Sequence, residues 1–243
     1  MQAVVMAGGF GTRLRPHTDI LPKPLTPIDD MPIVEVLLRR IAAQGVTQAV
    51  ICTGAKAQLV RAYLGEVPDL GLDLTYHRDP EPRGTAGALR DIVDDLEDDF
   101  LVLNADVLTD ADVAGIMARH RDRQAALTLA VSRRDWPIPY GVVECDEEDL
   151  VVGIREKPVA TVDLNLGMYA LTRRFVEPVL AATEGRLDMP DLIASLLASD
   201  QAVSAARIAC RWYDVGRESD LLKAREAYAA DPAPFLGAPA VAG

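Results

Sequence analysis

Residues 2–25 read QAVVMAGGFGTRLRPHTDILPKPL. The run from Gln2 to Met6 is apolar and ends at Gly8 and Gly9, as a strand buried on both faces of a parallel sheet does. From there to the helical pattern that opens at Pro32, roughly 25 residues carry no periodicity, and loops of that length inside a compact domain are functional or disordered. Gly8, Gly9 and Gly11 remove Cβ atoms where main chain would approach a ligand, and successive N–H groups there can form an anion-binding concavity. Arg13, Arg15 and Lys23 face only Asp19 in the same stretch, which Pro16, Pro22, Pro24 and Pro27 stiffen. A loop so built is expected to hold phosphate beside the first strand.

Outward from that loop, strand and helix patterns alternate. Residues 32–44 carry Ile33, Leu37, Leu38 and Ile41 at helical spacing, with Pro32 suited to a first turn and Gly45 to the position past the end. Strands are predicted at 48–53, 72–77, 100–104 and 126–131, and helices at 57–64, 85–96 and 110–121. Repeated strand–helix units imply an α/β fold, a doubly wound and mainly parallel sheet covered on both faces. After Trp136 the pattern changes: apolar strands at 140–145 and 150–155 flank the acidic turn Asp146-Glu147-Glu148-Asp149, as in a hairpin. A strand at 162–171, helices at 173–182 and 189–198, a strand at 202–208 and a helix at 218–229 follow. The expectation is one domain over 1–230, its alternating strand–helix part at 1–131 and its remainder at 132–230, with a fraying, flexible tail at 231–243. The acidic run at 94–99 reads as a solvated helix end.

Composition narrows the partners. The 243 residues carry a formal charge of -12, so nucleic acid and anionic lipid would be repelled over most of the surface. Cys52, Cys145 and Cys210 are far apart and form no C-x-x-C pair, which suggests buried reduced thiols rather than disulfides or a zinc knuckle. No apolar run approaches the roughly 20 residues of a membrane span, and the amino terminus lacks the pattern of a signal peptide, so a cytoplasmic location is expected.

Two familiar phosphate motifs fail. A Walker A loop needs Gly-Lys-Ser/Thr soon after its first glycine, and Lys23 is distant and followed by Pro24. The dinucleotide fingerprint begins at Gly9 and Gly11 but has Leu14 where the third glycine belongs, and residues 52–54 supply no acid for a ribose. Instead, Met6-Ala7-Gly8-Gly9-Phe10-Gly11-Thr12-Arg13-Leu14-Arg15-Pro16, then Thr18, then Pro22-Lys23-Pro24-Leu25 and Pro27, resemble the signature loop of the sugar-1-phosphate nucleotidyltransferases, also called sugar nucleotide pyrophosphorylases. That resemblance extends in blocks to Ala224 and is nearest to mannose- and heptose-1-phosphate guanylyltransferase-type members.

The resemblance implies a Rossmann-like, GT-A-like nucleotidyltransferase fold with an added β-hairpin, sugar-binding lobe. It implies transfer of a nucleoside monophosphate from a nucleoside triphosphate to a sugar 1-phosphate, releasing pyrophosphate. The obstacle is repulsion between two polyanions, which a protein relieves by positioning and charge neutralisation. No general base is required, since the attacking phosphate oxygen is already anionic. By resemblance Arg13 and Lys23 are catalytic, the planar guanidinium suiting pyrophosphate oxygens and the ammonium the α-phosphate. Ala7, Gly8, Gly9, Gly11, Thr12 and Asn104 are nucleotide-binding by the same resemblance.

Asp106 follows the apolar strand at 100–103, and Asp214 lies in Arg211-Trp212-Tyr213-Asp214-Val215-Gly216. The resemblance makes both ligands of a divalent ion, magnesium, which takes one or two carboxylates plus substrate oxygens. The family usually has Gly where Ala105 stands. Gly141, Glu156, Lys157, Asn165 and Gly167 fall in three further family blocks that look like a sugar pocket. Gly84 and Thr85, preceded by Asp79 and Glu81, resemble the guanylyltransferase block, and a carboxylate suits the N1–H and amino group of guanine. GTP is therefore the expected donor; a thymidylyl- or uridylyltransferase of the same family is the alternative. A metal-dependent glycosyltransferase is a more distant one, disfavoured because Asn104 breaks its Asp-x-Asp pattern and the loop from Arg13 to Lys23 would have no role. A noncatalytic nucleotide-binding module would be expected to lack Arg13, Lys23 or a metal carboxylate. Many relatives append a β-helix; its absence here predicts no second activity, and a homo-oligomer stays open.

Overall fold

The computed structural model describes residues 1–9, 11–15, 17–54, 56–79 and 81–237. Side-chain alternation along β1 (Gln2–Ala7) sets the packing: Ala3, Val5 and Ala7 enter one apolar cluster and Val4 enters the opposite one. The chain continues through α1 (His17–Ile20), α2 (Ile33–Ala42), β2 (Gln48–Thr53), α3 (Ala57–Glu66), β3 (Asp73–Arg78), β4 (Asp99–Asn104), β5 (Val107–Thr109) and α4 (Val113–Arg123). It ends with β6 (Leu127–Pro137), β7 (Val142–Cys145), β8 (Val151–Arg155), β9 (Val159–Thr172), α5 (Arg173–Ala182), α6 (Met189–Ala198), β10 (Val203–Arg207), β11 (Trp212–Asp214) and α7 (Glu218–Ala230).

The central sheet has seven strands in the order β10-β6-β9-β4-β1-β2-β3. All neighbours are parallel except β9, which runs antiparallel to β4 and β6. Apolar stripes of α2, α3 and α4 cover one face, and α5, α6 and the turns at 87–95 cover the other. The doubly wound, mainly parallel α/β sheet expected from the alternation is the observed architecture. A third cluster joins Leu14, Ile28, Val36, Leu108, Leu221 and Phe235, so the long first loop rests on α2, β5, α7 and the carboxyl-terminal segment.

Four expectations change. The predicted helix at 85–96 is two 3-10 turns, Gly87–Asp91 and Val93–Asp95, broken at Ile92, whose φ of -125° is not helical; the free N–H groups of Ala86 and Gly87 donate to the carbonyl of Leu187. The tail is ordered to residue 237: Ala233–Leu236 forms a 3-10 turn, Phe235 is fully buried, and Arg40 donates to the carbonyl of Pro234 at 2.8 Å. Residues 238–243 lie outside the described residues. The acidic run at 94–99 is not merely solvated. Asp99 accepts from Thr172 at 2.8 Å and Arg121 at 3.1 Å, and Asp98 pairs with Arg173 at 2.9 Å. Of the cysteines only Cys52 is buried; Cys210 is half-buried and Cys145 exposed.

The predicted hairpin forms as β7 and β8, a separate two-stranded antiparallel sheet. No described helix is long and apolar enough to cross a membrane.

Candidate active site

A cavity of about 630 Å³ opens at the carboxyl ends of β1, β2 and β4, where open α/β sheets bind ligands. On its wall lie Ala7, Gly8, Gly9, Gly11, Thr12, Arg13 and Lys23 from the first loop, Asp79, Glu81, Gly84 and Thr85 from the segment after β3, and Asn104 and Asp106 after β4. These sequence-named residues come together on one surface.

The short strand β5 does what no sequence pattern announced. It pairs antiparallel with β11, setting Asp214 opposite Val107, and the N–H of Val215 donates to the carbonyl of Asp106 at 3.0 Å. Two carboxylates 108 positions apart in the chain thus meet over the side chain of Lys23. Lys23 begins a 3-10 turn, Lys23–Leu25, and is only 8% exposed. Its Nζ donates to Asp106 Oδ2 and stands 3.9 Å from Asp214 Oδ1. Burial, then the neighbouring Asp106 charge, push the Asp214 carboxyl above the ordinary range, and Lys23 and Arg13 pull it partly back. Such a pair of hard oxygen donors, with one ammonium between them, suits a divalent ion such as magnesium rather than a soft metal.

At the other end of the cavity, Asp79 is already engaged. Arg83 donates to its Oδ1 from Nε at 3.1 Å and Nη2 at 2.5 Å, and also bonds Asp91. The Arg83 hydrogen bond holds the Asp91 carboxyl below the usual carboxylate range, and Arg83 is shifted up in turn. His77, Asp79 and Asp91 are the one trio of metal-capable groups within 4.8 Å of one another among the described residues. The Arg83 guanidinium bonds both acids and offsets one of their two charges. Cys52 also borders the cavity, where burial, then Asp79 and Asp91, push its thiol up to about 12, so it is an inert wall.

The sugar-block residues divide. Gly167 has φ +70°, and a Cβ there would overlap the amide of Asn104, so this turn borders the cavity through Asn104. The Asn165 amide is taken up inside the chain: its Oδ1 accepts from Gly167 N at 3.0 Å and its Nδ2 donates to Tyr169 at 2.8 Å. Gly141 and Glu156 meet at the base of the hairpin, and Lys157 follows with φ 44°. None of these five is on the cavity wall itself.

Arg78, Arg83, Arg186 and Asp188 also form the wall and were missed from sequence. Arg83 offered a signal, standing four residues after Asp79. Asp188 offered only a helix cap: it accepts from Thr85 N at 2.9 Å, and Met189 N donates back to Thr85 Oγ1 at 2.9 Å, a lock across more than 100 residues.

The nucleotidyl transferase family model matches residues 2–231 of this chain. The chain is 34% identical to mannose-1-phosphate guanylyltransferase of Mycobacterium tuberculosis over 92% of its own length and 63% of that protein. It is 31% identical to D-glycero-alpha-D-manno-heptose 1-phosphate guanylyltransferase of Campylobacter jejuni over 71% of its own length and 76% of that protein. In fold it is similar to HddC from Yersinia pseudotuberculosis, crystallised with GMP-PN, at a TM-score of 0.71 and 22% identity, covering 93% of this chain and 99% of that one. The chain therefore spans less than two thirds of the length of the mycobacterial relative.

Proposed function

Because this chain belongs to the nucleotidyl transferase family, we propose that it transfers GMP from GTP to a sugar 1-phosphate, giving a GDP-sugar and pyrophosphate. The observation that carries this reading is the Lys23 ammonium set between Asp106 and Asp214 at the foot of a glycine-lined cavity. An oxygen of the sugar phosphate forms a bond to the α-phosphorus while the bond to the β-phosphate oxygen breaks. Lys23 meets the α-phosphate, Arg13 meets the departing pyrophosphate, and the glycine N–H groups hold the triphosphate chain. Asp106 and Asp214 would hold magnesium, whose charge, when bound, offsets that of the phosphate oxygens.

Guanine is favoured by the guanylyltransferase names of both relatives and by the division of labour between two acids. Asp79 is taken by Arg83, which leaves Glu81 as the acceptor for the N1–H and amino group of the base. Gly141, Glu156, Lys157, Asn165 and Gly167 are assigned to the acceptor side, where mannose or heptose 1-phosphate is the substrate class that the relatives suggest. Asn165 acts there by shaping the Gly167 turn through its amide rather than by contacting the sugar.

A pyrophosphate-release assay across GTP, ATP, UTP and dTTP with mannose, heptose and glucose 1-phosphates tests the reading. Release that is fastest with GTP and requires a sugar 1-phosphate is expected. Faster turnover with UTP or dTTP would overturn the base, and no release with any pair would overturn the reaction.

A further inference from the structure

Lys56 stands outside the reaction as described, yet it is held in a conformation that lysine ordinarily avoids. It precedes α3 with φ 61° and ψ 25°, the left-handed region that disfavours a side chain with a Cβ. Residues kept in that region are held there by surrounding contacts, and they cluster at functional sites. Here the contacts are visible. The Lys56 ammonium donates to the carbonyl of Thr18 at 2.9 Å and to that of Asp19 at 2.7 Å.

Those carbonyls belong to α1, which has four residues and so cannot sustain itself by its own hydrogen bonds. A cation on its last carbonyls satisfies orphan acceptors and opposes the negative end of the turn. The next link leads to the site. The hydroxyl of buried Thr18 donates to the carbonyl of Gly11 at 2.7 Å, which also accepts from Leu14 N at 2.9 Å. Gly11 has φ +62°, and a Cβ on it would come within 2.8 Å of the Thr18 methyl and 3.2 Å of Lys23 Cβ. Thr18, Gly11 and Lys23 are thus packed as one unit, with Arg13 two residues along.

We propose that Lys56 is a positioning residue: by tying the α1 turn to the end of β2, it holds the segment carrying Gly11, Arg13 and Lys23 in register over the cavity. This rests on the transferase reading of that cavity. The left-handed strain at residue 56 is retained because the ammonium reaches both carbonyls from there.

The test joins a structural readout to a kinetic one. Amide hydrogen exchange is followed in residues 11–25 and in β1, alongside pyrophosphate release from GTP with mannose 1-phosphate. In Lys56→Met, exchange in 11–25 is expected to quicken about tenfold while β1 stays as in the wild type. kcat is expected to fall about ten- to a hundredfold with KM for the sugar phosphate unchanged, since misplacement of the cations acts on the transition state. Thr18→Val, which cuts the next link, is expected to lower kcat similarly, and Lys56→Arg to restore most of the rate.

Unchanged exchange and rate in Lys56→Met would overturn the proposal. Equal quickening in β1 would overturn it too, making Lys56 an ordinary stability residue. Should the wild type itself release no pyrophosphate from GTP, UTP or dTTP, the transferase reading fails, and the exchange data alone still decide whether Lys56 ties the loop.

Discussion

β6 and β9 run through two environments within one hydrogen-bonded ladder. Their inner halves, residues 127–132 and 166–171, are almost wholly buried in the sheet; their outer halves, 133–137 and 159–165, are mostly exposed and lead to the β7–β8 hairpin. The inner halves are locked by apolar packing and by His120, whose Nδ1 meets the Thr128 hydroxyl and whose Nε2 meets that of Thr172, both at 2.9 Å. The side-chain ties across the outer halves include surface ion pairs such as Arg133–Asp163 at 3.5 Å, a class that contributes little. Val143 and Ile154 face each other on the hairpin and are both exposed. The same backbone pairing therefore serves a buried base and a lightly anchored hairpin lobe.

The largest expected effect lies at neither half but in the buried ammonium at the cavity. Lys23→Met should lower kcat by about 10⁴-fold, or about 5 kcal/mol of transition-state stabilisation, in steady-state pyrophosphate release. A loss below tenfold would show that the cation between the two aspartates is not part of the chemistry.

Next, Phe100→Ala in the fully buried inner sheet should cost about 4 kcal/mol in urea unfolding. Ile154→Ser on the lobe, 71% exposed, should stay within about 0.5 kcal/mol. Similar costs at the two sites would erase the contrast between core and lobe.

Glu156→Gln should raise KM for the sugar 1-phosphate about tenfold and leave that for GTP unchanged, because the proposed reading puts it on the acceptor side and it is not on the cavity wall. A matching rise for GTP would move that residue to the nucleotide side.

The smallest effect is a dependence on pH. Burial, offset by Asp99 and reinforced by Arg121, holds His120 below its ordinary value of 6.5. The unfolded chain therefore takes up a proton on this group that the folded chain resists. Stability contributed at neutral pH is lost as pH falls below about 6.5, by at most about 1.4 kcal/mol per pH unit. His120→Gln should flatten that part of the urea midpoint curve between pH 7 and 5; an unaltered slope would remove His120 from the account.

Local patterns carried much of this molecule. Unbroken apolar runs such as residues 3–5 and 100–103 mark strands buried on both faces, because only a two-sided sheet can cover every side chain of such a run. The helix predicted at 85–96 misled because the apolar spacing was present, but the chain breaks at Ile92 into two short turns whose side chains pack on the sheet. Phe235 likewise sits in a stretch rich in proline and alanine that reads as a loose end, and only the groove formed by Tyr228, Arg40 and Arg211 orders it.

By itself, then, the sequence determined the strand–helix alternation, the glycine-rich turn and the cations stiffened by proline, since each depends on neighbours a few residues away. Tertiary structure alone decided three further points: that Asp106 and Asp214 share Lys23, that Asp79 is given to Arg83, and that Lys56 reaches the carbonyls of α1. The first and last are contacts between segments far apart in the chain. The pairing of β5 with β11 that creates the first is only three residues long, too short to leave a period in the sequence.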